Sequence, residues 1–384
     1  MTIRSLLASL LAACCAAAIG ALALWQTKQV GVASAATAAQ GGPAYRNAWN
    51  RQDAADYLDS REVWWQGWAP AQKDHATLCI SCHTSVPYAL ARPLLRRDAG
   101  ETEMATPEKI MMASVEKRVE HWTEVAPFYS DEMNGVGKTA ESHATEAVLN
   151  ATLLTNYDTA DGHLRAVTRT ALDEAWALQE ESGELAGGWK WQDFHLAPWE
   201  SVDSSYQGAA LLALEVGGAP DGYAEELAVQ APMDRLRRYL RRRYAAQPLL
   251  NRLYVLWAST KVPGLLSTEE QAALVAKVRG LQQTDGGWRV AELETWKRSD
   301  GTGAAVESDG YATGLVVLVF DAAGIGRQDE TVKRGLAWLE QHQEKGGEWR
   351  TGSLNKRRDP ESNIGRFMSD AATGYAVLAL DKAM

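Results

Sequence analysis

Residues 79–83 read Cys-Ile-Ser-Cys-His: two thiols three positions apart, with an imidazole directly after the second. In that order the three groups can hold one haem. Each thiol adds across a vinyl group of the porphyrin, and the imidazole becomes the proximal iron ligand. On a helical turn Cys79 and Cys82 would present both sulfurs to one side, with His83 beneath the ring. A disulfide, half of a zinc site and a redox dithiol use similar cysteines. Zinc requires a second Cys or His pair at matching spacing, and the sequence offers none. A redox dithiol of the thioredoxin kind requires a βαβ setting, which is absent. The residues therefore lead to the expectation of one covalent haem c on Cys79, Cys82 and His83.

The sixth iron ligand stays open. Met133 lies 50 residues past His83 in the polar loop 130–135, a placement that resembles small c-type cytochromes. His121 on a helical stretch is the alternative, and an open or water-bound iron is the third. His75 and His121 also read as surface side chains, and Met111 and Met112 as helix packing. Arg92, Arg96 and Arg97 either pair with the propionates or form a solvated basic turn.

The elements around the motif begin with a leader. Arg4 precedes an apolar stretch from Leu6 to Trp25, and Ala33 and Ala35 form an Ala-x-Ala cleavage pattern. The expectation is an exported chain, periplasmic once cleaved at 1–35. The apolar run is also long enough to stay as an uncleaved membrane anchor. Loss of the leader leaves 37 basic against 49 acidic side chains, a net charge of −12, and just two cysteines, both in the motif. Such acidity argues against nucleic-acid binding.

From about residue 139 the chain repeats. Gly187-Gly188-Trp189, Gly286-Gly287-Trp288 and Gly346-Gly347-Glu348-Trp349 each follow an amphipathic helical pattern. Each is followed in turn by a stretch apolar on all sides, near 204–216, 309–322 and 370–380. A helix apolar all round is buried all round, and one with a polar face lies outside. The reading is an all-α protein: an α/α toroid of concentric inner and outer helices. Five inner helices are counted, the first outer partner lies at 107–125, and an N-terminal haem-bearing helical region spans 36–138. Loops such as Leu281-Gln282-Gln283-Thr284-Asp285-Gly286-Gly287-Trp288 resemble the repeats of squalene–hopene cyclases and the wider prenyltransferase-like toroids. The resemblance covers about residues 140–384 and implies that fold more firmly than any activity.

Cyclases of that resemblance protonate an alkene from an Asp-x-Asp-Asp motif, which is absent. Asp203, Asp309 and Asp370, at the starts of inner helices, are the nearest acids; they read as helix caps or as acids at a cavity mouth. The arginine-rich run 235–244 reads as a solvated outer helix, or as a dock for an anionic membrane or an acidic redox partner. Two functions follow. The main expectation is a haem redox protein, moving electrons or oxidising an apolar ligand held in the toroid. The alternative is a terpene-cyclase-like enzyme or isoprenoid-binding module with ancillary haem.

Overall fold

A computed structural model describes residues 48–381. The leader expected at 1–35 lies outside them. Among the described residues no helix is long and apolar enough to cross a membrane.

Fourteen helices run in chain order: α1 Arg51–Gly67, α2 Ser85–Asp98, α3 Thr106–Glu120, α4 Asp131–Asn134, α5 Lys138–Asp161, α6 Ala166–Ala177, α7 Ser204–Gly218, α8 Leu227–Arg243, α9 Leu249–Ser259, α10 Thr268–Arg279, α11 Val290–Leu293, α12 Gly310–Ala322, α13 Glu330–Gln341 and α14 Phe367–Leu380. The strands β1 (Gln72–Lys73) and β2 (Thr77–Leu78) pair antiparallel in a small ribbon before α2. The hydrophobic pattern sorts the long helices. In α12 every residue from Gly310 to Phe320 is buried, whereas α13 buries Val332, Gly335, Trp338 and Leu339 along one stripe.

The inner helices α2, α5, α7, α9, α12 and α14 each pack on the next, and α14 packs back on α2. The outer helices α1, α3, α6, α8, α10 and α13 lie against them. The all-α toroid is thus present with six inner helices among the described residues, one more than the sequence count. The sixth is α2, which directly follows the Cys/His motif. Its inner character was hidden by Pro87, Pro93 and the terminal Arg96 and Arg97. The N-terminal segment supplies one inner and two outer helices of the ring.

The repeated loops hold the ring by one device. Gln179 Nε2 donates to Gly187 O and Pro232 O, both at 3.0 Å. Gln282 donates to Gly286 O and Thr331 O, both at 2.9 Å. Gln343 donates to Gly347 O (2.9 Å) and Asn50 O (3.0 Å), and accepts from Asn50 N at 2.6 Å. Each glutamine therefore ties its own loop to the next outer helix. For the third loop that helix is α1, so the last repeat binds the first helix and the ring closes. Trp189, Trp288 and Trp349 are fully buried and donate to Ala175 O, Val278 O and Leu339 O, back in the preceding outer helix. The glycine is dictated twice over. Gly347 has φ +99°, and a Cβ there would lie 2.0 Å from Asp53 O.

The arginine run of α8 belongs to the same framework. Arg242 donates to Ala186 O at 3.0 Å, Arg241 to Gly264 O at 2.7 Å, and Arg235 to the Gln179 carboxamide at 2.8 Å. Arg241 and Arg242 thus satisfy loop carbonyls, and Arg235 holds the bridging Gln179 side chain.

Gly347→Ala is expected to destabilise the protein by roughly 3 kcal/mol or more, because strain and a backbone clash coincide at the seam. Gly301→Ala also forces a positive φ (+71°) but meets nothing within 4 Å, and should cost about 1 kcal/mol. Urea unfolding of both variants measures the difference; equal losses would show that the seam contact contributes nothing.

Candidate functional site

The motif forms the connection from α1 to α2, at the rim of the toroid. Cys79 directly follows β2: its N–H donates to Ala71 O at 2.8 Å, and its carbonyl accepts from Trp65 Nε1 at 2.7 Å. Ser81 then starts the turn, its Oγ accepting from Thr84 N (3.1 Å) and Ser85 N (2.9 Å). The two cysteines therefore do not share one helical turn, as the spacing had led one to expect. Cys79 is buried in a small cluster with Trp65, Ala71 and Phe128. Burial pushes its thiol up to about 12 and raises Cys82 as well, so both stay protonated.

His83 is held by aromatic rings and one hydrogen-bond chain. Its imidazole stacks on Phe367 (3.6 Å between centroids) and meets Trp65 edge-on at 5.1 Å. Nδ1 lies 2.9 Å from Thr84 Oγ1, and that hydroxyl donates to Asp370 Oδ2 at 2.7 Å. A hydroxyl has one proton to give. With it committed to Asp370, Oγ1 accepts from His83 Nδ1–H, and the lone pair is left on Nε2. Asp370 also binds Arg61 Nε at 2.7 Å and Tyr57 OH at 2.8 Å. Burial pushes its carboxyl up while Arg61 draws it down. Burial, with Arg61 adding, pushes His83 down to about 3, so the ring is neutral at ordinary pH.

Two cavities meet at this histidine. One, of about 90 Å³ and open at the rim, is walled by Leu196, Ala197, Trp199, Ile364 and Phe367, with His83, Glu200, Ser353, Asn355 and Arg358 as polar groups. The other, of about 30 Å³, lies against Cys79, Cys82, Gln192 and Glu200. Glu200 borders both. Its backbone pairs with Leu196 in both directions at 2.8 Å, while among the described residues its carboxylate has no hydrogen-bond or ion-pair partner. Burial pushes it up to about 7, Lys138 opposing. A space of about 20 Å³ among α2, α5, α7 and α14 is bordered by Val86, Leu149, Gly208, Leu211 and Tyr375. Tyr254 OH donates to Tyr375 OH at 2.6 Å and lies 2.9 Å from Tyr311 OH, a buried cluster on the inner helices α9, α12 and α14.

Cys79, Cys82 and His83 are the donor set that would hold a haem c, and the cavities beside them measure about 90 and 30 Å³. The other expected haem contacts are not gathered here. Met133 is 83% exposed. His121 lies 3.1 Å from Glu124, with its ring beside His75. Met111 and Met112 are core residues. Arg92 pairs with Asp59 and Glu101, Arg96 with Glu108 and Arg97 with Asp381. Among the described residues no group of three or more His, Cys, Asp or Glu side chains could hold a metal ion.

The three aspartates have different surroundings. Asp309 caps α12 by accepting from Ala312 N (2.9 Å) and also from Val290 N (2.6 Å), and burial pushes it up to about 6. Asp370 lies inside the first turn of α14 and is no cap. Asp203 is the N-cap residue of α7, but its side chain makes no cap bond. Asp309 and Asp370 are thus committed to donors. The acid that the sequence reading missed is Glu200. Its one signal was being an acid within the aromatic segment Trp189, Trp191, Phe194, Trp199.

Residues 250–367 match the family model of the squalene-hopene cyclase C-terminal domain. No curated protein matches the chain. Among solved structures, a wild-type glycosidase aligns at 12% identity over 86% of this chain and 97% of its own, with a TM-score of 0.47. A polysaccharide lyase aligns at 13% identity over 88% and 92%, with a TM-score of 0.34. The family match corrects the main expectation. It supports a cyclase-like α/α toroid in place of a haem redox or electron-transfer protein.

Replacing Thr84 by Val should release His83 from its fixed tautomer. Nitrogen NMR of the wild type is expected to show His83 protonated at Nδ1, with a mixture of tautomers in Thr84→Val. A wild-type ring protonated at Nε2 would show that the chain through Asp370 runs otherwise.

Proposed function

We propose that this protein is a cyclase-like toroid that seats the end of an isoprenoid ligand in its rim pocket. The observation that carries the reading is the composition of that pocket: an apolar and aromatic wall of Leu196, Ala197, Trp199, Ile364 and Phe367, facing a neutral imidazole acceptor and a polar side of Glu200, Ser353, Asn355 and Arg358. A branched hydrocarbon end gains from leaving water against Leu196, Trp199, Ile364 and Phe367, at about 25 cal/mol per Å² buried. A terminal hydroxyl would donate to His83 Nε2, which gives the pocket its orientation. The family match over 250–367 supports a ligand of this class. The missing Asp-x-Asp-Asp sequence places polycyclisation of a long polyene outside the proposal.

Trp199 borders the pocket and reports on it. Farnesol is expected to quench tryptophan fluorescence saturably, and Ile364→Trp, which fills the pocket, should weaken binding at least about tenfold, or about 1.4 kcal/mol. Absence of saturable quenching in the wild type, or binding unchanged in Ile364→Trp, would remove the rim pocket as the ligand site. Squalene should yield no cyclic product.

A further inference from the structure

One side of the rim pocket carries a charge that nothing neutralises. Arg358 is half-buried and lines the pocket. Among the described residues its guanidinium has no hydrogen-bond or ion-pair partner. The acids that follow it in sequence are taken. Asp359 Oδ1 accepts from Glu361 N at 3.0 Å, and the Glu361 carboxylate binds Arg350 and Arg366, both at 2.8 Å. Glu200 borders the same pocket without pairing with Arg358. The segment before Arg358 is fixed on two sides. Asn355 Nδ2 donates to Ala197 O at 2.9 Å, and Asn355 Oδ1 accepts from Ala197 N at 2.7 Å. From the other side Arg298 Nε donates to Ser353 O at 2.9 Å, Ser299 N to Asn355 O at 2.8 Å, and Arg357 N to Asp300 Oδ2 at 2.7 Å. The guanidinium thus stands on a backbone already held in place.

We propose that the ligand of the rim pocket is an amphipathic monocarboxylate, its carboxylate paired with Arg358 and its apolar body against Trp199, Ile364 and Phe367. This rests on the reading of the rim pocket as the ligand site, and it adds a charge to the ligand's chemical class. A guanidinium presents a planar fork of N–H donors that matches the two oxygens of a carboxylate. Partly withdrawn from water beside an apolar wall, it attracts an anion more strongly than it would on an open surface. The apolar wall gains nothing from a bare anion, so the ligand brings hydrocarbon as well. The balance of charge selects a monoanion: one guanidinium neutralises one negative charge, and Glu200 on the same pocket opposes a second. Burial pushes Glu200 up to about 7, so at and below neutrality it opposes a single charge little. The chain as a whole has a net charge of −10 and does not gather anions in general. Lys356 and Arg357 beside Arg358, with Lys297 and Arg298 on the segment bonded to them, make this mouth the exception.

Octanoate and octanol have the same carbon chain and differ in charge, so the ratio of their affinities isolates the guanidinium. Titration calorimetry on the full chain should find octanoate bound at least about tenfold more tightly than octanol. Arg358→Gln should bring the ratio close to one. Arg358→Lys, which keeps the charge and loses the fork, should restore part of it. Arg357→Gln removes a neighbouring charge that does not line the pocket, and should leave the ratio as in the wild type. Inorganic phosphate, with no apolar part, should not displace octanoate. Octanoate bound no more tightly than octanol in the wild type, or a ratio unchanged by Arg358→Gln, overturns the carboxylate assignment; farnesol quenching in the same preparation then leaves the binding reading standing. Loss of the ratio in Arg357→Gln as well, or displacement by phosphate, shows a general basic surface and overturns the assignment too. Absence of farnesol quenching, with no binding heat from octanoate or octanol, overturns the binding reading and this proposal with it.

Discussion

Everything in this molecule depends on the contact between Gln343 and Asn50. A linear stack of helix pairs leaves two ends, and each end exposes apolar surface unless capped. Here the end of the last repeat meets the start of the first described helix, and one glutamine makes two hydrogen bonds across the junction and a third within its own loop. The same side-chain type makes the same bridge at residues 179 and 282. The seam is therefore one more repeat interface, and no distinct lock is required. The tight approach of Gly347 to Asp53 O allows no bulkier residue in that place.

The candidate site lies in the same sector of the ring. Asp370 on α14 collects Tyr57 and Arg61 from α1 and Thr84 from the turn before α2. Such a buried carboxylate is costly to strip of partners, of order 3–5 kcal/mol, so the three elements hold together. His83 is oriented as the last link of that chain. Its ring then faces the loop 196–200, which brings Trp199 and Glu200 from the opposite part of the sequence. A polar network that joins first and last helices thus also sets which imidazole nitrogen meets the pocket.

Much of the architecture was legible in the sequence, because the Gly-Gly-Trp loops and the all-apolar stretches repeat visibly. The place of α1 and α2 in the ring was not. No Gly-Gly-Trp loop precedes α2; the Cys/His motif stands in that position and drew the attention to another chemistry. Spacing of Cys79, Cys82 and His83 is local and could be read. The rings packed on His83, those of Phe367 and Trp199, are more than a hundred residues away, so its surroundings could not. Asp309 and Asp370 were visible as acids at helix starts, but their saturation by donors comes from Val290, Arg61 and Tyr57 on other elements. Glu200 has no motif around it. Its distinction is the lack of a partner, which no sequence pattern expresses.

Closing a ring has a temporal side. Asn50 and Gln343 are separated by 293 positions, so the bridging contact is among the most non-local the chain can make. Such contacts bring a large loop-closure entropy and come late in folding. As synthesis proceeds from the N-terminus, α1 and α2 emerge long before the helices that cover them. They pack on each other and on α3 and α5 early, but the faces that meet α14 remain without native partners until it exists. The first-made part of this protein is thus the last to acquire its native environment, and any shortening of the C-terminal end would leave the beginning of the chain, not its end, as the surface seeking another molecule.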